Sequence, residues 1–93
     1  MNNVCITTDA AGNKQWFLND QRHRLDGPAC EWADGSKEWW VNDRLHRLDG
    51  PAIERPDDSR EWFLNDQLLT FDEWCSDLED LGKQIILLRI KYG

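Results

Sequence analysis

A unit of 23 residues recurs through most of this 93-residue chain and constrains its fold more than any other feature. A period of 20–50 residues is typical of stacked repeat units, none of which can bury its apolar face alone. Each copy carries an Asn-Asp pair three residues after a tryptophan, and these tryptophans are Trp16, Trp39 and Trp62. We therefore predict a single domain over 1–93, with hairpin repeats over 4–66 and a C-terminal helix and capping segment over 67–93.

Apolar and polar positions alternate around each repeated tryptophan, and this period of two predicts strands. Trp39 and Val41 point to one face of such a strand, whereas Trp40 points to the other. Asp34-Gly35 lies between two strand-like runs and is a strong hairpin signal. The prediction is a mainly β, α+β fold of three stacked antiparallel hairpins, in which the paired strands are 4–8 with 14–18, 29–33 with 37–41, and 52–55 with 60–64.

The third copy departs from the pattern after its Asn-Asp pair and predicts a helix there. Thr70 and Glu73 have the spacing of a capping box, which begins a helix, and Gly82 is a natural stop. The apolar residues between them fall at helical spacing, so a helix is predicted over about 71–81.

The segment after Gly82 is predicted as a final strand over about 84–91 that closes the hairpin stack. Its alternate residues are all apolar: Ile86, Leu88, Ile90 and Tyr92. A helix is the competing interpretation, because Leu81, Ile85, Leu88 and Tyr92 also share one helical face.

Charge and composition exclude several classes of function. With 18 acidic against 11 basic residues, the net charge is −7, which argues against direct binding to nucleic acid or to an anionic membrane surface. The same charge suits a basic protein partner. The first residues lack the pattern of a signal peptide, and no apolar run approaches the ~20 residues of a membrane span. An odd number of cysteines, three, at irregular spacing does not indicate a set of disulfide bonds. A reduced cytoplasm is the predicted compartment.

No constellation of side chains predicts an enzyme. His23 and His46 recur with the repeat and are interpreted as bracing the connection between hairpins; the alternative is a zinc site that recruits Cys5 or Cys30. Turn chemistry accounts for the Asp-Gly-Pro segments, and Arg24 and Arg47 are expected to pair with a nearby acid. Cys75 is predicted to be buried on the helix. The prediction is therefore no catalytic residue, no metal and no cofactor.

Two surfaces are predicted to bind a partner. The first is a row of aromatic side chains opposite the repeated tryptophans, with acids beside it: Phe17, Trp40 and Phe63, with Glu38 and Glu61. The alternative is a sheet that curls and buries both rows. The second is the acidic surface of the predicted helix, formed by Asp72, Glu73, Asp77, Glu79 and Asp80. These carboxylates either face solvent only or mimic phosphates to a basic, nucleic-acid-binding partner.

The pattern Asp-Gly-Ser-Lys-x-Trp-x-x-Asn-Asp-x-x-His-x-x-x-Gly at this period resembles the MORN repeat. It is most similar to the bacterial and bacteriophage variant with a His-Arg-x-Asp-Gly-Pro-Ala segment. The resemblance covers residues 12–66, and this chain has Asn-Asp where Asn-Gly is usual. It implies hairpins stacked into an elongated sheet, which generally acts as a binding or scaffolding module.

The resemblance also implies a small phage-encoded protein in the cytoplasm of a bacterial host. The function expected on this basis is inhibition of a host protein by occlusion, for example by an anti-CRISPR or other anti-defence protein. One alternative is a structural scaffold that self-associates through its N-terminal edge strand, 4–8, so that the chain is a monomer or a homodimer. The other is the antitoxin of a toxin–antitoxin pair.

Overall fold

Residues 3–82 and 86–92 are described by a computed structural model of the chain. In this part of the chain, short strands are followed by two helices, which confirms the mainly β, α+β prediction. The elements are β1 Val4–Thr8, β2 Lys14–Leu18, β3 Gln21–Arg22, β4 Cys30–Glu31, β5 Lys37–Glu38, β6 Trp40–Val41, β7 Arg44–Leu45, β8 Ile53–Glu54, β9 Arg60–Leu64, β10 Gln67–Leu69, α1 Phe71–Asp80 and α2 Ile86–Tyr92.

The three predicted hairpins are present and stack into one antiparallel sheet in the order β1-β2-β4-β5-β8-β9-β10. The first hairpin has the predicted bounds, whereas the second and third pair over only two residues of each strand. Their turns place Gly12, Gly35 and Asp58 at equivalent positions with φ of 92°, 95° and 67°. Glycine adopts this left-handed conformation without strain, so the third turn is the least favourable of the set.

Each Asn-Asp pair forms a second, tighter hairpin that the sequence analysis had treated as a simple connection. Asn42 and Asp43 have φ of 49° and 66°, as a type I′ turn requires at both central residues. This turn joins β6 to β7, and the equivalent turns join β2 to β3 and β9 to β10. Asparagine and aspartate tolerate the left-handed region better than other non-glycine side chains do, so an Asn-Asp pair can form this turn.

The predicted helix after the third repeat is confirmed as α1. The hydroxyl of Thr70 accepts a hydrogen bond from the Glu73 amide, and the Glu73 carboxylate accepts one from the Thr70 amide. These two bonds form the capping box that begins the helix. The inner face of α1 packs on β9 and β10 to form the core, whose members are Trp62, Leu64, Leu69, Trp74, Cys75 and Leu78.

The predicted final strand is wrong, because residues 86–92 form the helix α2; residues 84 and 85 lie outside the described part of the chain. The alternating apolar set does not share one face. Leu88 and Tyr92, four residues apart, pack against the core, whereas Ile86 and Ile90 are 73% and 76% exposed. The helix thus places two apolar residues on one face against the core and leaves the other two exposed.

Candidate functional site

The aromatic side chains Phe17, Trp40 and Phe63 lie on the sheet face opposite the one that α1 covers. Residues alternate between faces along a strand, so Phe63 points away from its neighbours Trp62 and Leu64, which pack on α1. All three aromatic side chains are partly exposed. We call this row the aromatic face; its three side chains are intermediate between buried and exposed, as are Trp16 and Trp39 on the opposite face.

Trp40, at the centre of the aromatic face, is held by two neighbouring side chains. Its indole Nε1 donates a hydrogen bond of 2.9 Å to Oε1 of Glu38. On its ring, the guanidinium carbon of Arg22 lies 5.1 Å from the centroid, within cation–π range. The ring is therefore fixed in orientation while part of its surface remains accessible to a partner.

The two acids predicted beside the aromatic face belong to one row across the sheet. Glu38 pairs in register with Ile53, and Ile53 with Glu61, so these side chains share the aromatic face. Both carboxylates already have partners, since Glu38 accepts from Trp40 and Glu61 pairs with Arg55. The contact with Glu61 raises the pKa of Arg55. Arg55 therefore offsets the charge of Glu61, whereas Glu38 keeps its negative charge because the Trp40 indole is neutral.

The acids of α1 lie on the other side of the sheet and do not join the aromatic face. Glu73 is part of the capping box, and Asp72 and Glu79 lie 3.6 and 3.8 Å from the guanidinium of Arg89 on α2. Asp77 and Asp80 line a groove with His46. The structure thus separates the predicted contact residues into two surfaces, which a single flat partner cannot contact together.

A feature that the sequence analysis missed is the stacking of each linker arginine on a repeated tryptophan. The guanidinium carbon of Arg47 lies 3.7 Å from the ring centroid of Trp39, and that of Arg24 lies 4.0 Å from Trp16. Each arginine follows its tryptophan by eight residues. That constant spacing was the one sequence signal of a contact between the two side chains. The contact itself forms because the chain turns back through β3 or β7.

The same arginine forms ion pairs with two nearby acids and a hydrogen bond with a carbonyl of its own linker. Arg47 pairs with Asp49 at 2.8 Å and with Glu54 at 2.6 Å, and its Nη1 donates to the carbonyl of Pro51 at 3.0 Å. Arg24 makes the equivalent set with Asp26 and Glu31. The ion pair with Arg24 lowers the pKa of Asp26. The pairing predicted for these arginines is confirmed, and the networks are structural.

The structural role predicted for His23 and His46 is confirmed. Nδ1 of His23 accepts a hydrogen bond of 3.0 Å from the amide of Asn42, and Nδ1 of His46 accepts one of 3.1 Å from Asn65. Each histidine thereby ties its linker to the tight turn of the next repeat. Burial lowers the pKa of His46, which keeps that ring neutral and able to accept. No group of three or more potential metal ligands occurs among the described residues.

The cysteine thiols of the core are not poised for chemistry. Desolvation raises the pKa of Cys30 to about 11, and it also raises that of Cys75. Because the thiolate is the reactive form, burial disfavours the reactive form of both side chains in the folded chain. Cys75 is buried in the helix-packed core, as predicted, and Cys5 is exposed on β1.

Comparisons with protein families, with curated proteins and with solved structures found no match to this chain. Neither helix in the part of the chain that the structure describes is long and apolar enough to cross a membrane.

Proposed function

We propose that this chain is a non-enzymatic, MORN-like repeat module that binds another protein through the aromatic face. The observation that supports this most is the position of Phe17, Trp40 and Phe63, which repeat every 23 residues on the sheet face opposite the packed helix. Partly exposed aromatic side chains held in fixed orientations lose little entropy on binding and are enriched among the residues that dominate interface energies.

The proposed partner is a protein with an apolar groove and a basic rim. The net charge of −7 favours approach by a basic surface, even though Arg55 already pairs with Glu61. Occlusion of that surface would inhibit the partner. A host protein that handles nucleic acid, blocked by a phage-encoded anti-defence protein, is the specific form that we propose.

Replacing Trp40 with alanine is expected to weaken partner binding more than tenfold while the fold is retained. Trp40 is the central residue of the row, and its ring is only partly buried in the free chain. The measurement is affinity capture of a partner from bacterial lysate, followed by titration of the purified partner with each variant. Thermal unfolding of each variant reports the fold.

Leu81→Ala is the matched control, because Leu81 is 64% exposed and lies after α1, away from the aromatic face. This variant should bind as the unmodified chain does. If Trp40→Ala unfolds the domain, the row belongs to the core; if Trp40→Ala binds normally, the partner contacts another surface. Either result would contradict the proposal.

The second candidate function is self-association through β1, which a specific observation favours. β1 is one of the two edge strands of the sheet, β10 being the other, and Val4 and Ile6 are 69% and 52% exposed. The Trp16 amide donates to Ala29, away from β1, so its register partner Ile6 directs its own N–H and C=O outward. Such an edge can pair with a second copy of the chain.

Ile6→Lys is expected to abolish a dimer formed through β1, since a charge on an edge strand opposes pairing. The measurement is sedimentation over a range of concentrations. Leu25→Lys is the matched control, because Leu25 is 81% exposed in the first linker and lies outside the strand. A monomer at every concentration of the unmodified chain would remove this candidate.

A further inference from the structure

A groove of about 370 Å³ on the α1 side of the sheet concentrates positive charge in this acidic chain. It lies between the end of α2 and strands β5, β8 and β9. Its acidic side chains are Glu54 and Asp58, and its cationic side chains are Lys37, Arg47, Arg55, Arg60 and Lys91. Asp49 and Glu61 lie outside the lining but pair with Arg47 and Arg55, so five cations stand against four acids and give a local charge of +1 on a chain of net charge −7. We call it the basic groove.

The repeat explains why cations remain unpaired there. In register, Lys37 faces Glu31 on one side and Glu54 on the other, and Arg60 faces Glu54. Both carboxylates are instead taken by the linker arginines, Glu31 by Arg24 at 3.2 Å and Glu54 by Arg47 at 2.6 Å. Lys37 and Arg60 therefore form no ion pair with the carboxylates that lie opposite them on the neighbouring strands.

Among residues 3–82 and 86–92, three exposed cations of the groove have no carboxylate within ion-pair distance: Lys37, Arg60 and Lys91. They come from three different elements, β5, β9 and α2. A bound anion would supply the ion-pair partner that these three side chains lack.

Tyr92 gives one side of the groove a fixed wall. Its ring packs edge-on against Trp62 with centroids 5.2 Å apart, while Arg60 and Lys91 lie 5.3 and 5.1 Å from its own centroid. Its hydroxyl also lies close to Gly50, where a Cβ would come within 2.9 Å of that oxygen. Glycine at this position therefore permits the close approach of the Tyr92 hydroxyl.

We propose that the basic groove binds a small polyanion, a molecule that carries two or more phosphate or carboxylate groups. The anionic groups contact the ends of the Lys37, Arg60 and Lys91 side chains, which extend past the Glu54 carboxylate that Arg47 holds. This site lies on the sheet face opposite the aromatic face, so it does not depend on the proposed protein partner.

The experiment is a titration of the full chain with tripolyphosphate and, in a second arm, with citrate, at low salt. Calorimetry gives the affinity, and ¹H–¹⁵N spectra show which amides shift. We expect saturable binding with shifts concentrated at Lys37, Arg60 and Tyr92, and weaker binding as sodium chloride is added. Preference for tripolyphosphate indicates a phosphate-bearing ligand, and preference for citrate a carboxylate-bearing one.

Lys37→Gln combined with Lys91→Gln is expected to weaken binding about fivefold or more. Lys14→Gln is the matched control, because Lys14 occupies the position of Lys37 one repeat earlier but does not line the groove. It should leave the affinity unchanged. An absence of saturable binding by either probe, shifts centred elsewhere, or an equal loss in Lys14→Gln would each overturn the proposal.

Discussion

Replacing Trp74 with alanine is expected to lower the free energy of unfolding by about 3–5 kcal/mol. Trp74 is fully buried, and its ring centroid lies 4.6 Å from that of Trp62. Its Nε1 donates to the carbonyl of Arg47 at 3.0 Å, which the substitution leaves without this donor. A domain of this length has about 5–14 kcal/mol of stability in total, so the variant would be close to unfolding.

Urea unfolding monitored by far-UV circular dichroism measures this loss. Leu81→Ala at the end of the same helix is the control and should change stability by less than about 0.5 kcal/mol, because Leu81 is largely exposed. Trp74→Phe keeps a ring but removes the N–H, so it should lie between the two. A loss below about 1 kcal/mol for Trp74→Ala would contradict the role of α1 as the cap of the sheet.

Replacing Arg47 with alanine is expected to cost about 2–3 kcal/mol, because one side chain makes several contacts at once. The substitution removes the stacking on Trp39 and leaves the partly buried Glu54 carboxylate and the Pro51 carbonyl without this donor. Arg24→Ala should cost about half as much. The Arg24 side chain is 22% exposed against 12% for Arg47, so water replaces its contacts more readily.

Chemical denaturation of the two variants beside Arg44→Ala checks this expectation. Arg44 is exposed on β7 and makes no ion pair among the described residues, so it controls for the loss of one positive charge. Arg47→Lys should recover only part of the loss, since lysine cannot reproduce the planar fork of guanidinium donors. If Arg47→Ala costs no more than Arg44→Ala, the network contributes little to stability.

The hairpins could be predicted because their signals are local. Alternation places Trp39 and Trp40 on opposite faces, and Asp34-Gly35 marks the turn between β4 and β5. The tight Asn-Asp hairpins were missed because β3 and β7 are two residues long, too short for any periodicity. A type I′ turn made by Asn-Asp in place of Asn-Gly also gives a weaker signal.

The conformation of α2 could not be decided locally, because its sequence satisfies both the strand and the helix periods. Contact of Leu88 and Tyr92 with the core around Trp62 favours the helix, and that contact exists only after α1 has packed. For the candidate site, sequence alternation placed the aromatic face on one side of the sheet. It could not show that the acids of α1 lie on the other side, because that depends on which face the helix covers.

The tight turns of the second and third repeats each form hydrogen bonds with the linker of the preceding repeat. Asn42 supplies a donor to His23 and Asp43 an acceptor to the amide of Arg22; Asn65 and Asp66 supply the same groups to His46 and Leu45. The two junctions are therefore equivalent, while the terminal helices contact the linker of the second repeat as well as the third hairpin. Such an array can lengthen or shorten by whole repeats during evolution. Each added repeat would add one hairpin to the sheet and one aromatic side chain to the aromatic face.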